Sequence, residues 1–213
     1  MSKKLVNSLS FELHAVSPGI GDEQRFVKIA TDVWPWLDYI HIREKHLTTE
    51  QKIQWAYSLL YAGIPSDRIV INGLCELNEL EKHVLIQRVH WGQSNMTTIQ
   101  GSSLNKSDRL RLGISVHSLH EAREAEERGA DYLFYGHVFS SSSKPGIKPR
   151  GLSALSEICS GVSIPVIAIG GIEPANIAAV RAVGASGAAV ISSIWASDNP
   201  QSAAAALRQA IER

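Results

Sequence analysis

The sequence predicts a (β/α)8 TIM barrel of parallel strands, and three observations carry that expectation. Short apolar runs rich in Val, Ile and Tyr alternate with longer amphipathic stretches bearing Ala and Glu, the mark of repeated βαβ units. About eight such units fit into 213 residues, near the lower size limit of this barrel. No G-x-G-x-x-G follows the first run, which argues against a Rossmann sheet, and flavodoxin-like sheets usually have fewer strands. A single domain over residues 1–213 is expected, α/β in class. A chain of this length buries roughly 70% of its unfolded surface, so the core needs no staples.

The strands are read at Glu12–Val16, Tyr39–Arg43, Arg68–Asn72, Arg88–Trp91, Leu112–Val116, Tyr132–Val138, Pro165–Gly170 and Gly187–Ser192. Helical patterns fall between them at Asp22–Val33, Thr49–Tyr61, Leu77–His83, Ser118–Gly129, Gly151–Ser160, Pro174–Gly184 and Ser202–Arg213. The polar stretch Ser94–Arg109 has the weakest helical pattern. Ser118 with Glu121 reads as a capping box, and Gly129 and Gly184 as C-caps.

Composition narrows the partners. Lys and Arg (21) balance Asp and Glu (21), so neither nucleic acid nor a membrane surface is expected as a partner. Cys75 and Cys159 match no metal or redox spacing, which suits a reducing compartment. The first residues, Met1 to Asn7, lack the apolar stretch of a signal peptide, and no run reaches membrane-spanning length. A soluble cytoplasmic domain is the expectation.

Strand alternation sorts side chains into two faces. Ile40 and Ile42 share the helix-facing side, so His41 and Arg43 point into the barrel. The same logic directs His14, His90, Ser115, His117 and His137 inward. His14 and His41 read as satisfied structural residues, and His46, His83 and His120 as solvated ones. Arg43, His117 and His137 end their strands, where this fold carries its active sites. His137 closes the most apolar strand and leads into a polar loop, so it is the candidate catalyst.

Gly170-Gly171 ends the seventh strand and Ile191-Ser192-Ser193 the eighth. That pairing reads as a phosphate site, with backbone N–H groups around Gly171 and Ile191 and a hydroxyl from Ser192 or Ser193. The loop from Ser140 to Gly146 carries Ser141, Ser143 and Lys144, suited to a lid or ligand clamp.

With these residues in hand, the chain resembles the thiamine-phosphate synthase superfamily over nearly its whole length. The matching stretches are His41-Ile42-Arg43-Glu44-Lys45, Val89-His90-Trp91-Gly92-Gln93, Gly113-Ile114-Ser115-Val116-His117-Ser118, Gly129-Ala130-Asp131-Tyr132, Ala168-Ile169-Gly170-Gly171-Ile172 and Ile191-Ser192. In that family the synthases hold magnesium through an Asn-Asp pair and a second aspartate. Here those places read Asn72-Gly73 and, for the second, fall near Asn95, without a carboxylate. Gly136-His137-Val138-Phe139 and Arg150-Gly151 look like the thiazole tautomerase branch.

The resemblance therefore implies an isomerase. It would aromatise a carboxylated dihydrothiazole-ylidene ethyl phosphate by proton transfer through His137. Substrate binding would fall to Arg43, Asn72, Ser115, His117, Ser141, Ser143, Lys144, Gly171, Ile191 and Ser192. No metal and no cofactor are expected; the partners are the thiazole phosphate and a second copy of the chain in a dimer. Three other readings stay open: residual synthase activity, a non-catalytic thiazole-phosphate binder, and a zinc hydrolase using the inward histidines.

Overall fold

A computed structural model describes residues 11–19, 21–73, 83, 85–92, 108–141 and 146–212. Eight parallel strands close into a barrel in chain order: β1 (Glu12–Val16), β2 (Tyr39–Ile42), β3 (Ile69–Asn72), β4 (Arg88–Trp91), β5 (Arg111–Val116), β6 (Tyr132–Gly136), β7 (Val166–Ile169) and β8 (Gly187–Val190). β8 pairs back to β1 with His14 opposite Ala189, which completes the ring. The predicted fold class holds, and each predicted strand is present with its ends shifted by up to two residues.

Around the barrel run α1 (Glu23–Val33), α2 (Thr49–Tyr61), α3 (Leu119–Glu127), α4 (Gly151–Gly161), α5 (Ile177–Ala182), α6 (Ser192–Trp195) and α7 (Pro200–Glu212) among the described residues. α2 starts where its cap dictates. Thr48 accepts from Gln51 N at 3.3 Å while the Gln51 side chain takes up the Thr48 N–H at 2.9 Å. At α3, Ser118 caps Glu121 N as expected, but the Glu121 carboxylate reaches past the cap to His117 N at 2.7 Å. That bond fixes the backbone at the end of β5. The short α6 went unread because it follows β8 with no polar spacer. The expected helix Leu77–His83 and the stretch Ser94–Arg109 fall almost entirely outside the described residues. None of the described helices is long and apolar enough to cross a membrane.

Alternation builds two cores of different chemistry. Outward residues such as Ile40, Ile42, Leu112, Ile114, Leu133 and Ala168 form an aliphatic layer against the helices. Val16, Tyr132, Phe134, Ile167 and Ala189 fill the barrel itself, where the rings of His14, His41 and His90 pack against Tyr39, Phe134 and Tyr132. On the β2–β4 side, then, the interior is built of imidazole. That layer is the floor of the site.

Candidate active site

A cavity of about 1290 Å³ opens at the carboxyl ends of the strands. Of the residues expected to form the site, Arg43, Asn72, Ser115, His117, His137, Ser141, Gly171, Ile191 and Ser192 all line it. Ser143 and Lys144 lie outside the described residues.

The floor under β1 to β4 is a file of buried polar groups. Glu12 Oε2 lies 3.0 Å from His14 Nε2, His14 Nδ1 lies 2.9 Å from His41 Nε2, and His41 Nδ1 lies 2.9 Å from the Asn72 side chain. Burial holds the His41 imidazole well below its ordinary pKa, and repulsion from His14 and His90 adds to the effect. His90 is held at about 3 by burial and then by His14, and its Nε2 pairs with Ser115 Oγ at 2.8 Å. His41 and His90 are therefore neutral. The Asn72 side chain ends the file at His41 Nδ1. As expected from sequence, His14 and His41 are satisfied partners within the fold.

On the β2–β3 side the lining is cationic. Half-buried Arg43 and exposed Lys45 stand at the end of β2, and Lys52 reaches in from α2. Glu44, the one carboxylate among the described lining residues, is consumed locally. It accepts Ser17 Oγ at 2.6 Å and the N–H groups of Gly19 and Gly21 at 3.1 and 3.0 Å. Ser17 Oγ in turn accepts Arg43 N at 2.8 Å, which locks the loops after β1 and β2 together.

On the β7–β8 side the lining is backbone. Gly170 and Gly171 have φ of +103° and +66°, conformations that side chains rarely adopt. A Cβ on Gly170 would stand 2.5 Å from His137 Cβ, and one on Gly171 would collide with the Ser140 carbonyl. The Gly171 carbonyl accepts Asn176 Nδ2 at 2.9 Å. Ser193 donates its hydroxyl to the Ile172 carbonyl at 2.6 Å, so the β7 and β8 loops are tied and Ser192 is left to face the cavity.

His137 reaches the cavity by a route other than alternation. Tyr132, Phe134 and Gly136 share the inward face of β6, so strict parity would turn residue 137 outward. β6 ends at Gly136, and the chain turns there. The imidazole is buried, its Nε2 donates to the Lys148 and Ile147 carbonyls at 3.1 and 3.3 Å, and its Nδ1 is enclosed with no partner among the described residues. The ring lines the cavity, with its Nε2 held by the two carbonyls.

Sequence reasoning missed two contributors. Arg150 donates to the Gly136 carbonyl at 3.0 Å and the His117 carbonyl at 2.8 Å, joining the ends of β5 and β6. Lys52 shares the buried stripe of α2 with Ala56 and Leu59, so a lysine at an apolar helix position was the signal. The resemblance puts magnesium ligands at two places in the chain. The Gly73 place has no carboxylate, the second place is Asn95, outside the described residues, and those residues contain no cluster of three or more His, Cys, Asp or Glu suited to a metal.

Comparison with known proteins places this geometry. The family model described as thiamine monophosphate synthase matches residues 13–194. A thiamine-phosphate synthase of Chloroflexus aurantiacus is 39% identical over 174 residues, covering 79% of this chain and 77% of that protein. Another, from Chlorobium phaeobacteroides, is 32% identical over 82% of this chain and 84% of its own length. The solved thiamine phosphate pyrophosphorylase of Pyrococcus furiosus superposes with a TM-score of 0.75 at 26% identity, covering 96% of this chain and 97% of that one. These relatives are named as synthases, which are transferases, and this overturns the expectation of an isomerase and thiazole tautomerase. By the extent of the family match and the identity to these synthases, the chain belongs to the thiamine monophosphate synthase family.

Proposed function

We propose that the chain is a transferase of the thiamine-phosphate synthase class. It would join a thiazole bearing an ethyl phosphate to a pyrimidine carried as its carbinyl diphosphate. The thiazole nitrogen forms a bond to the methylene carbon as the bond from that carbon to the diphosphate oxygen breaks. Pyrophosphate leaves with the electron pair, and no proton leaves either ring.

One observation carries the reading: a single cavity offers two separate places for anions, a backbone cradle at β7–β8 and a group of cations at β2–β3. The cradle suits the monophosphate of the thiazole, through N–H groups at Gly171 and Ile191 and the Ser192 hydroxyl. Arg43, Lys45 and Lys52 suit the more highly charged diphosphate. The engagement of His137 Nε2 by backbone carbonyls is compatible with a joining step that needs no base; its ring, with Ser141 and His117, lines the space between the two ends.

The test supplies both half-molecules to the purified protein and follows thiamine phosphate, as fluorescent thiochrome, together with released pyrophosphate. Equal amounts of both products are expected. Tight binding of the thiazole phosphate without product would leave a binding protein and overturn the transferase reading.

A further inference from the structure

Lys52 is a buried cation without a buried counter-charge among the described residues. Its side chain is 7% exposed, yet it lines the cavity. Its Nζ donates to the Asn72 carbonyl at 3.0 Å, and it makes no ion pair with any described residue. The one carboxylate in the described lining, Glu44, already accepts three donors from the loop after β1. An ammonium has three N–H donors, so one bond to a carbonyl leaves two. A charge taken out of water is costly unless something pairs with it, and a ligand anion is what this cavity can supply.

Gly73 makes room for that head group. It follows Asn72 at φ +114°, and a Cβ placed on it would stand 2.8 Å from Lys52 Nζ. Any side chain at 73 would have to displace the ammonium or, if acidic, pair with it. The glycine and the lysine therefore work as one feature: the missing side chain is the space that the cation fills. Arg43 and Lys45 line the same end of the cavity.

We infer that Lys52, seated in the gap at Gly73, forms an anion subsite for a diphosphate group, where its ammonium supplies charge without a divalent metal. That this diphosphate is the leaving group of the reaction rests on the transferase reading; the subsite itself does not.

The experiment titrates inorganic pyrophosphate and, separately, orthophosphate into the wild type, Lys52→Met and Gly73→Asp by calorimetry, with EDTA present throughout. The wild type is expected to bind pyrophosphate. Lys52→Met should weaken that binding by at least about tenfold, the usual scale for losing a charge-assisted hydrogen bond. Gly73→Asp should weaken it similarly, because its carboxylate neutralises the ammonium. Orthophosphate, held at the β7–β8 cradle, should bind all three alike. Equal pyrophosphate affinity in the wild type and Lys52→Met overturns the inference, as does wild-type binding that appears only when magnesium replaces EDTA. Should Lys52→Met fail to fold, Gly73→Asp decides, and unchanged affinity there overturns it equally. Pyrophosphate binding through Lys52 in a protein that joins no half-molecules would keep the subsite and reject the transferase reading.

Discussion

The two ends of the cavity are built by opposite means. At β7–β8 the lining groups are largely backbone, shaped by glycines at positive φ and held by the Asn176 and Ser193 bonds. At β2–β3 they are formal charges on the long stems of Arg43, Lys45 and Lys52. The floors differ as well. Ile167, Ile169 and Ala189 lie under the first end, and the His14–His41–Asn72 file under the second. A peptide dipole can be re-aimed only by changing the backbone, whereas a charge can be exchanged one side chain at a time. One end of such a site is therefore fixed by the fold and the other is open to change. The departures from the synthase pattern at Asn72-Gly73 fall at the open end.

Gly171→Val should produce the largest effect. A β-branched residue at φ +66° is strained by roughly 1–3 kcal/mol, and its Cβ would collide with the Ser140 carbonyl. The value of kcat/KM is expected to fall at least about 100-fold, with lower thermal stability, because binding and backbone cannot be separated at this end. A variant that keeps its melting temperature and loses only phosphate affinity would break the contrast between the ends.

The next effect comes from the floor. His41 and His90 stay neutral in the fold, while the unfolded chain takes up protons at histidine below about pH 6.5. Unfolded chains thus bind more protons, so stability is complete above pH 6.5 and declines on acidification, for His90 down to about pH 3. Each histidine costs about 1.4 kcal/mol per pH unit in that window. Urea unfolding at pH 5.5 should show about 3 kcal/mol less stability than at pH 7.5. A flat profile would mean that the floor is not neutral imidazole. Smaller still is Arg43→Ala, which should raise KM for the diphosphate half by about tenfold to a hundredfold without moving the melting temperature. Arg43→Lys should recover part of the loss, since ammonium keeps the charge but not the planar fork.

Much of this contrast is legible in the amino-acid order. Period-two alternation placed His41, Arg43, Ser115 and His117 on the inner side, because each lies within or just past a regular strand, whereas Asn72 entered only through the family resemblance. His137 was also expected inward and does line the cavity, although it lies beyond the end of β6, where parity no longer applies. The cradle was readable because only glycine tolerates that backbone, and Gly170-Gly171 recurs at the expected strand. Lys52 was passed over because its partner is a carbonyl, a group that every residue carries. The isomerase expectation rested on a few residues, such as Gly136-His137-Val138-Phe139, and the identity to synthases over most of the chain overturned it.

Ser193→Ala gives the smallest expected effect and the finest test of independence. The Ser193 hydroxyl bonds the Ile172 carbonyl at 2.6 Å and is a side-chain tie between the loops after β7 and β8. Removing it leaves a buried carbonyl short of one donor, a loss of about 1 kcal/mol. The backbone of the cradle keeps its conformation because the glycines and Asn176 remain. KM for the thiazole phosphate should then rise only about twofold to fivefold, since part of that energy appears as looser aim of the N–H groups. Pyrophosphate affinity, measured in the same variant, should not change, because no bond of Ser193 reaches β2 or β3. An equal loss at both ends would mean that the cavity closes as one unit, and the division into a fixed and an open end would fail.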